Sequence, residues 1–185
     1  MSDLTNSVYH SNIEKVKNFL GNDFDPNSRT EFGFTSLHIC AMYGNEEISK
    51  ILIDFGADPN LKNRYGQTPL FSSSENGYLK IVKNLVTAGA DPNVLDNDKS
   101  SPLHWASSNN HFEIVKFLLE NSANPNCIDN QGCCPLFWAV RNDNSYIIIE
   151  LLEAGSNTEH LLGDQILLLK KEIGLLKYWM SKVKK

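Results

Sequence analysis

One tripeptide returns along this chain at a fixed interval: Asp25-Pro26-Asn27, Asp58-Pro59-Asn60, Asp91-Pro92-Asn93 and, with its first residue changed, Asn124-Pro125-Asn126. Each step is 33 residues and no insertion breaks it. A constant period of this length comes from stacked supersecondary units, each covering the apolar face of the next, rather than from one globular core. Activity in such a chain is expected on a long exposed surface, not in a single catalytic cleft.

Other landmarks keep the same interval. Thr35-Ser36-Leu37-His38, Thr68-Pro69-Leu70-Phe71, Ser101-Pro102-Leu103-His104 and Cys134-Pro135-Leu136-Phe137 stand at 33-residue steps. So do Glu47-Ile48, Lys80-Ile81 and Glu113-Ile114, followed by the apolar pairs Leu52-Ile53, Leu85-Val86 and Leu118-Leu119. Gly56 and Gly89 each open a Gly-Ala-Asp string, replaced in the third place by Ser122-Ala123-Asn124.

These strings resemble the ankyrin repeat over about residues 2–160. The resemblance implies an all-α ankyrin-repeat solenoid of helix-turn-helix units with short β-hairpin fingers. Residues 1–30 read as an N-terminal capping unit. Repeats follow at 31–63, 64–96, 97–129 and 130–162, and the last has Gly155-Ser156-Asn157 where Asp-Pro-Asn stood.

Within a unit the residue types suit their expected places. Pro69, Pro102 and Pro135 fit the first position of a helix, where the missing N–H would have had no partner. Thr68 and Ser101 precede them as hydroxyl caps. Gly44, Gly77, Asn110 and Asp143 fall between the two helices, where left-handed backbone is expected. Ile114, Val115, Leu118 and Leu119 share one face of the second helix. The small residues Cys40-Ala41, Ser73-Ser74, Ala106-Ser107 and Ala139-Val140 allow neighbouring first helices to approach closely. Lys99 stands where Gly33, Gly66 and Gly132 supply a finger glycine. Either Lys99 takes the same left-handed backbone at a cost of about 1 kcal/mol, or that finger has another shape.

Beyond residue 162 the period fades. Residues 163–185 read as a C-terminal helix, with Ile166, Leu169, Ile173, Leu176, Met180 and Val183 at alternating three- and four-residue spacing. Three readings of it stand: a cap on the last repeat, a seam for a second copy or a partner helix, and, from six lysines between Lys170 and Lys185, contact with an anionic membrane surface.

Bulk chemistry narrows the function. The 185 residues are 41% hydrophobic and 21% charged, with a formal net charge of −5. That balance suits a folded domain and argues against a general nucleic-acid binder. No apolar run reaches the ~18–20 residues of a membrane span. Residues 1–6 lack the basic start and apolar stretch of a secretory leader, and four cysteines form no dense framework. A reducing, cytoplasmic setting is expected. Cys127, Cys133 and Cys134 contain no C-x-x-C pair and do not read as a metal site. Cys40 reads as a buried, inert thiol. No phosphate loop, nucleophile elbow or metalloprotease motif is present. No cofactor and no catalysis are expected.

The resemblance also implies where a partner would sit, since partners of the family usually meet the fingers and the inner faces of the first helices. On this chain those positions hold Phe32, Phe34, Met42, Tyr43, Arg64, Tyr65, Glu75, Trp105, Asn109, Trp138, Arg141 and Asn142. Trp105 and Trp138 occupy one register in adjacent units. Read as exposed, they form a binding pair with Tyr43, Tyr65 and Arg141 nearby, removable without loss of stability. Read as packed, they belong to the core. His38 and His104 are implied to tie units together by hydrogen bonds, while Phe71 and Phe137 fill the same place by packing. The function implied is stoichiometric protein binding as an adaptor, scaffold or inhibitor. Alternatives are an assembly chaperone, a regulatory subunit of a large complex, or a host-directed effector of an intracellular microbe. A monomer is expected, with a dimer through residues 164–183 as the alternative.

Overall fold

A computed structural model of the chain describes residues 3–159 together with 161 and 174. Among these lie ten helices in five successive pairs: α1 (Asp3–Tyr9) and α2 (Ile13–Gly21), α3 (Ser36–Tyr43) and α4 (Glu46–Asp54), α5 (Pro69–Glu75) and α6 (Leu79–Thr87), α7 (Pro102–Ser108) and α8 (Phe112–Glu120), α9 (Pro135–Arg141) and α10 (Ser145–Glu153). The helix expected over 163–185 lies outside the described residues, apart from Gly174, which is helical and exposed.

The repeat fixes the core directly. Leu37, Leu70, Leu103 and Leu136 stand one above another on the first helices, and all are buried. Ile48, Ile81, Ile114 and Ile147 repeat this on the second helices, as do Leu52, Leu85, Leu118 and Leu151. Each unit thus buries its apolar stripe only because a neighbour lies on it. At the first pair Leu4, Val8, Val16 and Leu20 complete the series.

First helices pack on first helices, and second on second, all along the chain. The contact is closer in the first row. There the facing residues are small: Cys40, Ala41, Ser73, Ser74, Ala106, Ser107, Ala139 and Val140 are all fully buried. Two rows of unequal spacing bend the stack toward the tighter one. The first helices therefore line its inner face.

Between paired helices the chain takes left-handed backbone at Gly44 (φ 77°), Gly77 (φ 80°), Asn110 (φ 62°) and Asp143 (φ 54°). Lys99 does the same in its finger, at φ 59° against 80° for Gly33 and 76° for Gly66. The third finger thus keeps its shape at the expense of strain, and does not adopt another.

The fingers are tight turns rather than β-hairpins, and no strand occurs among the described residues. In one finger the Asn63 N–H donates to the Gln67 carbonyl (2.9 Å) and the Gly66 N–H to the Asn63 carbonyl (3.0 Å). A single backbone–backbone bond joins each tip to the one before it, as from the Arg64 N–H to the Phe32 carbonyl (3.0 Å) and from the Asn97 N–H to the Tyr65 carbonyl (3.0 Å). One bond per neighbour is too few to build a ladder.

The Asp-Pro-Asn interval has a mechanical cause that sequence reading did not supply. Each asparagine bridges to the next unit through both ends of its amide. Asn60 Nδ2 donates to the Gly89 carbonyl (2.9 Å) and its Oδ1 accepts the Asp91 N–H (2.9 Å). Asn93 does the same with Ser122 and Asn124, and Asn126 with Gly155 and Asn157. The aspartate closes its own turn, with Asp58 Oδ1 accepting the Asn60 N–H (2.8 Å). The signal was present as the strict recurrence of asparagine.

One cap differs from expectation. The Ser101 hydroxyl lies 2.9 Å from His104 Nδ1. The Thr68 hydroxyl is buried without a partner. Its unit carries Phe71 where those of Thr35 and Ser101 carry His38 and His104, so no ring nitrogen stands over it.

Candidate protein-binding surface

The inner face carries two separate groups of aromatic side chains. The first lies toward the N-terminus. Thr30, Phe32, Phe34, Ile39, Met42 and Tyr43 line an open groove of about 340 Å³. Phe32 is 52% exposed, Tyr43 50% and Tyr65 54%. Their rings support one another: Phe34 meets Tyr65 at 6.4 Å, and the Arg64 guanidinium sits 5.8 Å from the centre of Phe32. Tyr43 meets Tyr9 edge-on at 5.0 Å. Tyr9 is exposed and extends this surface, although sequence reasoning passed over it. It stands 33 residues before Met42, so the period would have placed it.

The second group lies between the last two fingers. Trp105 and Trp138 share a cavity of about 210 Å³ with Asp98, Ser108, Asp129 and Gln131. Neither indole is fully exposed and neither is fully buried. The Trp105 Nε1–H points inward, without a partner, so its outward surface is ring carbon. Trp138 rests edge-on against Phe137 at 5.4 Å and holds the Arg141 guanidinium 5.3 Å from its ring centre. Tyr43 and Tyr65 belong to the first group and do not line this cavity. The two tryptophans are adjacent, but the five-residue constellation suggested by sequence is split in two.

Two of the other expected contact residues have structural tasks. Asn109 Nδ2 donates to the Trp105 carbonyl (2.9 Å) and Asn142 Nδ2 to the Ser108 carbonyl of the preceding unit (2.7 Å). Glu75 is exposed, and its backbone carbonyl accepts a bond from His111 Nε2 (2.8 Å).

Two buried histidines join units beneath this surface. His38 Nδ1 accepts the Thr35 N–H (3.1 Å), and its Nε2 lies 3.0 Å from the Gln67 carbonyl. A carbonyl only accepts and an amide N–H only donates, so the ring is neutral with its proton on Nε2. His104 repeats this with the Ser101 N–H (3.1 Å) and the Cys133 carbonyl (3.1 Å). Burial lowers His38 to about 4. It also lowers His104, outweighing the pull of Asp129 and Asp96 toward the charged form. Both rings are thus hydrogen-bonded braces. The Thr35 and Ser101 hydroxyls lie 2.9 Å from His38 and His104 Nδ1 as parts of the helix caps, and Cys127 Sγ is 3.7 Å from His104 Nδ1, its thiol pushed up by burial. That direction is opposite to the one an activated thiol needs. Burial raises Cys40 as well. Among the described residues, no group of three His, Cys, Asp or Glu side chains is placed to hold a metal ion.

A stack of helix pairs with an inner aromatic face, and buried groups committed to bracing, defines a helical-repeat binding protein. The sequence profile of ankyrin repeats (three copies) matches residues 4–96 and 74–160. The chain belongs to the ankyrin-repeat family. No curated protein matches it. Ankyrin repeats are generally protein–protein interaction modules.

Proposed function

We propose that this chain is a stoichiometric binding subunit, an adaptor, scaffold or inhibitor, that holds another protein against its fingers and inner helical face and performs no catalysis itself. One observation carries the reading. The stack has buried its repeating Leu and Ile core, yet Phe32, Tyr43 and Tyr65 remain half exposed around one groove. Exposed aromatic side chains braced by neighbours suit the centre of an interface, where tyrosine, tryptophan and arginine concentrate binding energy. Four unpaired thiols suit a reducing, cytoplasmic setting.

The test is capture with the intact chain and its Phe32→Ala/Tyr43→Ala variant, read by quantitative mass spectrometry. Proteins held by the parent chain should be lost from the variant by about tenfold or more. The variant's thermal midpoint should stay close to the parent's, because both side chains are half exposed. Undiminished capture by the folded variant would overturn the reading.

A further inference from the structure

We propose that the cavity between Trp105 and Trp138 receives one arginine side chain of the bound protein, its guanidinium stacked on indole carbon and paired with Asp98 and Asp129. The inference rests on the protein-binding reading above and adds the chemistry that the surface selects.

The acidic wall is uncommitted. Asp129 is only 8% exposed. Its Oδ1 accepts two N–H bonds from its own finger, Gln131 (2.8 Å) and Cys133 (2.9 Å). Among the described residues nothing donates to Oδ2, and the ion pair found, Lys80 with Glu46, lies elsewhere. A buried carboxylate ordinarily has its oxygens filled by donors. In the preceding finger Gln67 Nε2 reaches Asp96 Oδ2 at 3.5 Å. For Asp129 the corresponding position in the finger before it is Ser100, which is too short to repeat that contact. Asp129 and Asp98 both line the cavity.

The aromatic walls select the same chemistry. Trp105 turns its N–H inward and offers carbon, which attracts a cation through the ring's quadrupole. Trp138 already holds the guanidinium of Arg141 against one face, so the stacking surface left for an incoming guanidinium is Trp105. Arginine fits better than lysine because it is planar, weakly hydrated and carries a fork of N–H donors for carboxylates. The cavity, about 210 Å³, is smaller than the roughly 300–1,000 Å³ of small-molecule sites and suits a single side chain.

The test is an NMR titration of the full chain with Nα-acetyl-arginine amide, followed at the tryptophan indole resonances. The neutral isostere Nα-acetyl-citrulline amide is run in parallel. Trp105 and Trp138 should shift with the arginine probe. Citrulline should leave both unmoved. Asp129→Asn should weaken the response about tenfold. That variant keeps the finger folded, because Asn63 in the same register accepts the Tyr65 (2.9 Å) and Gln67 (3.1 Å) N–H bonds through its own Oδ1. Equal response to citrulline, an unchanged response in Asp129→Asn, or no response at Trp105 and Trp138 would each overturn the proposal. Loss of the arginine response with intact Phe32- and Tyr43-dependent capture removes this inference alone. Failure of that capture removes the reading beneath it.

Discussion

The His104 ring crosses from one unit to the next and bonds the backbone carbonyl of Cys133 at 3.1 Å. This contact, with its twin between His38 and Gln67, makes the cohesion of the stack depend on keeping two imidazoles neutral.

The sign of the resulting pH dependence follows from His38. In the fold it stays neutral down to about pH 4, while the unfolded chain takes up its proton near the ordinary value of 6.5. Between those values the unfolded state binds more protons, so its contribution is complete above pH 6.5 and is lost as pH falls toward 4. The loss at pH 4 is about 3 kcal/mol on the pKa difference. His38→Phe places here the residue found at Phe71 and Phe137. It should cost about 1 kcal/mol at pH 7 through the unpaired Gln67 carbonyl. Urea midpoints measured from pH 7 to 4 should show a flatter profile than the parent's.

Asn60→Ala removes both bonds that join its loop to the next unit, to Gly89 and Asp91. Both are solvent-exposed, so a loss of about 1–2 kcal/mol is expected. Asn60→Asp keeps an acceptor for the Asp91 N–H but loses the donor to Gly89, and should destabilise by a similar amount. Chemical denaturation of both variants checks whether the donor or the acceptor matters more.

Lys99→Gly should stabilise the chain. Lys99 holds φ 59° where the other fingers have glycine. Relief of about 1–2 kcal/mol of backbone strain is partly offset by about 0.5–1 kcal/mol of added freedom in the unfolded chain. A net gain of about 0.5–1 kcal/mol in unfolding free energy is expected, without a change in circular dichroism.

Trp105→Ala with Trp138→Ala should lower stability as well as binding. Sequence alone left two readings, a free pair whose removal leaves the midpoint unmoved and rings packed into the core. Both indoles are more buried than exposed and Trp138 rests on Phe137, which puts the expected cost at about 2 kcal/mol for each ring. Calorimetry of the two single variants and the double checks this, and an unchanged midpoint would contradict it.

Among the four cysteines, Cys127 should react first with a thiol reagent. Cys40, Cys133 and Cys134 are buried, while Cys127 is partly exposed. Burial raises its pKa, so its rate near pH 8 should fall below that of a free thiol. Peptide mapping after brief alkylation identifies the site.

The aromatic surface shows where sequence reasoning reached and where it stopped. The period placed Phe32, Tyr43, Tyr65, Trp105 and Trp138 on fingers and first helices, because those registers are free of the Leu and Ile demanded by stacking. It gave no means of separating them into two groups. That separation depends on which ring meets which neighbour: Phe34 with Tyr65 at one end, Trp138 with Phe137 and Arg141 at the other. The free oxygen of Asp129 was equally hidden, since it arises from a serine in the preceding finger being too short to reach it.

By itself the sequence determined the repeat length, the order of the paired helices, the buried leucine and isoleucine series and the turns between helices. These follow from local patterns that each unit states again, and from helix starts and left-handed turns that proline, glycine and asparagine favour in any context. Only the tertiary structure decided what bridges the units and what stays available on the inner face. Asn60 finds its partners 29 and 31 residues away, and His38 finds Gln67 at 29. The partial burial of Trp105 is likewise set by the helices and fingers around it. Contacts of that range exist only once neighbouring units have stacked, so no single unit's pattern encodes them.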